Sequence, residues 1–282
     1  MTPQELVELE NSEDIVTELD ISHLVIEDDT PVDNFQSEVQ QRLLVEPLYS
    51  AKAVPSPFMV AANVGVFYKL KGDPIVPDVF LSLVVQRPDD FSQRRYRSYF
   101  VWEFGKVPEV CIEIVSNQEG NELALSAKAR QDGKTYPKKD IYAQIGVSYY
   151  VVFDPLQQIQ SDREMNGAIL RVWTLAAGRY TELTPSAGLT AAGQFVWLET
   201  VNLGLMLWQG EFEEAVTRLW LRWCDRDGYP IPTGAEGQER ERQRAEVERQ
   251  RAEVERQRAE AERQRAERLA ERLRSLGIDP DA

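Results

Sequence analysis

Histidine is nearly missing from this chain: among 282 residues there is one, His23. Its segment, ISHLVI, is apolar and shows no partner for catalysis, so His23 reads as a surface or packing residue. A histidine-rich zinc site is thereby excluded, and a Ser-His-Asp triad would have to rest on His23 alone. Cysteine is almost as scarce. Cys111 lies in a strand pattern and Cys224 at the end of a Trp-containing segment read as helix. Two such thiols make no disulfide framework and fit a reducing compartment. No run of 18 apolar residues occurs, and the start of the chain, MTPQELVELENSEDIVTELD, is acidic rather than a basic segment followed by an apolar one. The expectation is a cytoplasmic protein with no membrane partner. Positive charge is also in deficit: 32 Lys and Arg face 47 Asp and Glu, a formal net charge of −15. That argues against nonspecific duplex binding over the whole surface while leaving room for a local phosphate-facing groove. Gly-rich phosphate loops, zinc fingers and helix-turn-helix signatures are absent from the sequence as well.

What the chain does have is core material, with 43% hydrophobic residues, six Trp and ten Phe. Three stretches organise it: IVPDVFLSL (75–83), VPEVCIEIVS (107–116) and PKKDIYAQIGVSYYVVFDP (137–155). The first two read as strands, and each sets one carboxylate, Asp78 or Glu113, among β-branched and apolar neighbours. A carboxylate there is costly unless it is paired or metal-bound. Two of them, followed by Lys134, Lys138 and Lys139, point to a divalent-cation site for hydrolysis; the plainer alternative is one edge-exposed acid and one buried salt bridge.

The other segments frame these three. DNFQSEVQQRLLVEPLY (33–49) is a helix with Asp33 available as its cap and Phe35, Val39, Leu43 and Leu44 as its apolar stripe; Glu38 beside that stripe reads as a solvated acid. FMVAANVGVFYKL (58–70) reads as one strand, joined through Lys71–Gly72–Asp73 to the Asp78 strand as a hairpin. Residues 86–106 form a long basic loop whose Tyr96, Tyr99, Phe100 and Trp102 could pack or stack on bases. Pro137 suits a helix start, and SYYVVFD (148–154) is apolar enough for a central strand. A hairpin turning at Ala177–Gly178 and a short strand near Phe195–Leu198 follow, and residues 211–225 look like a terminal segment covering the sheet.

Beyond Gly234 the chain becomes a charged seven-residue repeat, RQRAEVE, with alanine at 245, 252, 259 and 266. Helix propensity is high throughout. The seam running back from Leu276, Leu273 and Leu269 continues as alternating Ala and Glu, poor coiled-coil core. The expectation is a long charged helix that oligomerises weakly, through its end, or only with a partner.

The ordered set of a PD strand (Pro77–Asp78), E-x-x-S (Glu113 to Ser116) and Lys138 four residues before the tyrosine of Y-x-x-x-G-V-x-x-Y-x-V-x-D-P (142–155) resembles the restriction endonuclease family abundant in cyanobacteria, within the PD-(D/E)xK nuclease superfamily. The resemblance spans roughly residues 31–210. It implies an α/β (α+β mixed-sheet) restriction-endonuclease-like core with a C-terminal charged helix. In domain terms these are an acidic extension at 1–30, a nuclease-like domain at 31–230 and the repeat helix at 235–276. It further implies Asp78 and Glu113 as metal-binding acids, the Ile114 carbonyl and Glu38 as added ligands, and Lys138 as the catalytic lysine, with Lys139 and Lys134 as runners-up. Lysine is displaced from the usual E-x-K position, where Val115 stands. The implied activity is Mg²⁺-dependent (or Mn²⁺-dependent) endonucleolytic hydrolysis of DNA. Separately from the resemblance, the expected assembly is a homo-oligomer, most simply a dimer. The competing expectation is an inactive nuclease-fold scaffold that assembles through its tail.

Overall fold

The structure is a computed structural model, and it describes residues 24, 34–118, 120–131, 133, 136–213 and 216–276. The acidic extension apart from Leu24, with His23 in it, the expected cap Asp33 and Lys134 lie outside the described residues. Contacts divide the chain into two units. One comprises residues up to Val45 and Val54–Pro230, the other Glu46–Ala53 and the chain from Ile231 onward.

In the first unit a six-stranded mixed sheet carries the sequence's three organising stretches. Its strands are β1 (Phe58–Ala62), β3 (Val79–Leu83), β5 (Val110–Ile114), β6 (Tyr149–Phe153), β7 (Leu170–Ala176) and β8 (Arg179–Glu182), in that spatial order. β5 and β6 pair in parallel and every other neighbour is antiparallel. The parallel pair needs a crossover, supplied by α3 (Ala127–Gln131) and α4 (Lys138–Ile145). Every residue of β5 and β6 is buried, as expected of central strands whose sequence is apolar throughout in β6 and apolar apart from Glu113 in β5. Tyr150 on β6 stacks between Tyr142 of α4 and Trp173 of β7, so aromatic packing fixes the helix onto the sheet. The β7–β8 hairpin turns at Ala177 and Gly178, both at positive φ, the conformation a two-residue turn needs.

Three sequence expectations change. The run 58–70 is not one strand: Asn63, at φ 52°, ends β1, and Val66–Phe67 (β2) pairs instead in parallel with Tyr99–Phe100 (β4). Asn tolerates this left-handed backbone better than a β-branched residue such as the neighbouring Val64 would. Residues 217–224 are a strand, not a helix. β11 (Thr217–Cys224) pairs with β10 (Leu203–Glu211), which pairs with β9 (Phe195–Leu198), to make a separate antiparallel sheet. Trp220, Leu221, Arg222, Trp223 and Cys224 are all buried. Both faces of a strand can be covered at once, whereas one helical face could not hold them all. Lastly, α1 (Phe35–Ser50) buries Leu43 and Leu44 of its expected apolar stripe, but its buried face extends to polar residues and leaves out the stripe's first member. Phe35 is 91% exposed, while Ser37, Gln40, Gln41, Leu44 and Leu48 are buried. Its N-terminus is capped by Asn34, whose Oδ1 accepts from Ser37 N at 3.0 Å.

In the basic loop, Tyr99 and Phe100 are buried; Tyr99 stacks on Phe104 and Phe100 on Phe67. α2 (Val101–Phe104) closes that loop. The second unit contains α5 (Gly234–Ser275), a 42-residue helix opened by a complete capping box between Thr233 and Glu236. No residue of α5 is buried.

Candidate active site

The site is built from strand register. β3 and β5 are antiparallel with Val79 opposite Ile112, so one step further sets Asp78, just before β3, beside Glu113. A hydrogen bond holds that step: Ile114 N donates to Asp78 Oδ2 at 2.5 Å. Asp78 is thus tied at the mouth of the sheet, half-buried, while Glu113 sits inside β5 with 1% of its surface exposed. Burial without partners would cost a carboxylate several kcal/mol.

Glu113 has two partners, both from α4. Lys138 Nζ lies 2.6 Å from Oε2, and the Tyr142 hydroxyl donates to Oε1 at 2.8 Å. The two residues are four apart, so one helical face delivers both to the same carboxylate. The register of α4 is set by its first turn, where no intrahelical carbonyl is available. Lys138 N donates to Asn121 O at 2.7 Å and Lys139 N to Glu122 O at 3.0 Å, so the preceding loop closes the helix end. At the other end Gly146, at φ 94°, terminates the helix in the left-handed region and turns the chain into β6.

Electrostatics follow from this geometry. Burial pushes the Glu113 carboxyl above its ordinary range, and the Lys138 charge and hydrogen bond oppose that push. Burial favours the neutral Lys138 amine, but the charges of Glu113 and Asp78 outweigh it and raise its pKa, so the ammonium persists. Tyr142 is raised well above ten by burial first and by the Glu113 charge second, which keeps its hydroxyl a donor.

Two neutral residues complete the cluster, and sequence reasoning missed both. Gln41 of α1 lies 3.4 Å from Asp78 Oδ1 through Nε2, and its Oε1 accepts from Asn63 Nδ2 at 2.9 Å. Asn63 N in turn donates to Asp78 O at 3.1 Å. The signal was present: Ser37, Gln40, Gln41, Leu44 and Leu48 recur at helical spacing, and polar residues on a buried stripe have work other than packing. Glu38, the acid expected from α1, is not brought to this cluster. It is half-exposed and ion-paired with Arg42 at 2.7 Å, one turn on. Lys139 also points elsewhere, with its Nζ 4.1 Å from the centre of the Trp173 ring. Glu122 does belong to the neighbourhood, since its charge raises both Glu113 and Lys138. Its Oε2 is buried and has no hydrogen-bond partner among the described residues.

Asp78 and Glu113 are the acids here that could ligate a hard cation: they stand side by side on paired strands, both charges act on Lys138, and the unpartnered buried Oε2 of Glu122 adds negative potential. Mg²⁺ needs no more than one or two carboxylates because it retains several waters. No group of three or more His, Cys, Asp or Glu side chains able to hold a metal occurs among the described residues.

Residues 3–192 match the family model Uma2, described as "Putative restriction endonuclease". The chain belongs to this family. The Uma2 match covers the whole cluster, from Gln41 through Tyr142, and gives the chain a nuclease fold of the PD-(D/E)xK type. A crystal structure of "a putative nuclease belonging to DUF820" from Anabaena variabilis is similar at 12% identity, with 61% of this chain and 76% of that chain covered and a TM-score of 0.36. Comparison with curated proteins finds no match.

Proposed function

We propose that the chain is a metal-dependent endonuclease that hydrolyses phosphodiester bonds, with DNA as its substrate. The observation that carries this reading is the meeting of Asp78, Glu113 and Lys138 at one end of β3 and β5. Asp78 and Glu113 would hold Mg²⁺ or Mn²⁺. The Ile114 carbonyl would assist, since it leaves the strand on the same side as the Ile114 N–H that meets Asp78. When bound, the ion would polarise the scissile phosphate and lower the pKa of a water.

Lys138 has the other role. With its pKa raised, the amine is an ammonium at neutral pH and cannot serve as the general base. It acts instead as a fixed positive charge that stabilises the negative charge developing on the phosphoryl oxygens. Tyr142 positions Glu113 rather than touching substrate, because its hydroxyl is buried behind the carboxylate. Gln41 and Asn63 do the same for Asp78.

A reading without catalysis, in which Lys138 and Glu113 form only a structural ion pair, makes the opposite statement about activity. Incubating supercoiled plasmid with the full chain separates the two. Nicking or linearisation that requires Mg²⁺ or Mn²⁺ and disappears in a folded Asp78→Ala variant is the expected result. Absence of metal-dependent cleavage of plasmid, oligonucleotide or RNA substrates would overturn the proposal.

A further inference from the structure

The side chains of the C-terminal helix follow an order that a merely solvated helix does not need. Along α5, Val247, Val254 and Ala261 recur every seven residues, and Gln250, Gln257 and Gln264 fall three residues after each. At about 100° per residue these six lie within one narrow stripe. From 247 to 264 that stripe carries no charge, on a helix in which Arg and Glu otherwise dominate. The two valines are about half exposed, at 48% and 47%.

The charges beside the stripe are sorted by sign. Glu246, Glu253 and Glu260 occupy one margin, and Arg251, Arg258 and Arg265 the other. If the valines are a positions and the glutamines d positions, the glutamates are g and the arginines e. Each glutamine amide reaches back to a marginal glutamate, as in Gln250 to Glu246 at 3.3 Å and Gln257 to Glu253 at 3.1 Å. Those bonds hold the carboxylates at the edge of the stripe. The glutamates also pair within the helix with Arg249 and Arg256, at 3.8 Å and 3.1 Å. Such exposed pairs contribute little and exchange readily.

We infer that residues 247–264 form one strand of a parallel, in-register, two-stranded coiled coil with a second copy of this chain. Charge complementarity sets the orientation. In a parallel pair each g residue meets the e residue five positions on in its partner, which joins Glu246 to Arg251, Glu253 to Arg258 and Glu260 to Arg265. An antiparallel pair would set g against g and e against e, glutamate on glutamate and arginine on arginine. β-branched residues at a favour two strands, while glutamine at d keeps the association modest. The opposite stripe, of Ala252, Glu255, Ala259 and Glu262, is the poorer seam because it would bury like charges against their own copies. Leu269, Leu273 and Leu276 fall on that opposite stripe, so the coiled coil ends before them.

The test uses two variants of the full chain and sedimentation equilibrium. One carries Glu246→Arg, Glu253→Arg and Glu260→Arg; the other carries Arg251→Glu, Arg258→Glu and Arg265→Glu. The unmodified chain should dimerise, each variant alone should associate at least about tenfold more weakly, and an equimolar mixture should recover the lost affinity as a heterodimer. The mixture controls for any loss of helix in the single variants. A disulfide between copies of Val254→Cys, but not of Ala252→Cys, should report the register, since Cys111 and Cys224 are buried. A monomeric unmodified chain, variants that self-associate undiminished, a mixture no tighter than its components, or cross-linking through position 252 rather than 254 would each overturn the inference.

Discussion

Lys138 is the residue on which most depends, because one ammonium offsets the burial of Glu113 and also faces Asp78. Replacing it by Met should destabilise the metal-free protein by about 3–5 kcal/mol at neutral pH, the scale of a buried charge stripped of its partner. The pH dependence has a definite sign. The folded pKa of Lys138 lies above 10.5, so its contribution is fully present at neutral pH and is lost only as pH rises through that higher value. The folded pKa of Glu113 lies above 4.5, so its burial penalty is absent below 4.5 and grows as pH rises through the folded value. Without Lys138 that pKa rises further. Thermal melts of Lys138→Met and the unmodified chain should therefore converge as pH is lowered from 8 toward 5; a constant gap would mean that Glu113 is not the group being compensated. In cleavage assays Lys138→Ala should lose about 10²-fold or more in rate while leaving metal affinity nearly intact, which single-turnover kinetics and metal titration measure separately. The shared face of Lys138 and Tyr142 was legible from their spacing of four. Gln41 and Asn63 were missed: neutral side chains give no charge anomaly, so Gln41 showed only as a polar residue at helical spacing from Leu44 and Leu48, and the role of Asn63 arises from the break at the end of β1.

At the scale of elements, the strands of Asp78 and Glu113, the helix starting at Pro137 and the 177–178 hairpin were readable from period-two patterns and turn residues. The second sheet was obscured at its last strand. LWLRWC carries large apolar residues on both faces, so alternation fails and the segment imitates a buried helix. Its edge is finished by α1. Gln40 Nε2 donates to Leu221 O at 2.8 Å, Leu221 N donates to Gln40 Oε1 at 3.0 Å, and Trp223 Nε1 donates to Leu44 O at 2.8 Å. One glutamine thus acts as a surrogate strand residue. Gln40→Leu fills similar space but orphans both backbone groups of Leu221, each worth roughly 1–3 kcal/mol when buried and unpaired. Urea denaturation should show a loss of about 2–4 kcal/mol. A change below about 0.5 kcal/mol would mean that α1 docks by apolar contact alone, the range of an ordinary surface substitution.

For the whole molecule, the mixed α/β sheet with a charged C-terminal helix follows from composition: apolar strands up to Cys224, then a repeat with almost nothing to bury. We expect the nuclease-like region and the tail to be separable. A chain ended after Gly234 should keep a cooperative unfolding transition while losing much of its helical ellipticity, since α5 is far longer than α1, the next longest helix among the described residues. Loss of the transition, followed by circular dichroism on heating, would show that the tail is needed for folding. The central claim concerns the two acids, and calorimetric titration of the full chain with Mg²⁺ and Mn²⁺ tests it most directly. One bound ion is expected, with tight binding abolished in both Asp78→Asn and Glu113→Gln while each variant still unfolds cooperatively. Undiminished affinity in both folded variants would contradict the assignment of Asp78 and Glu113 as the metal-binding pair.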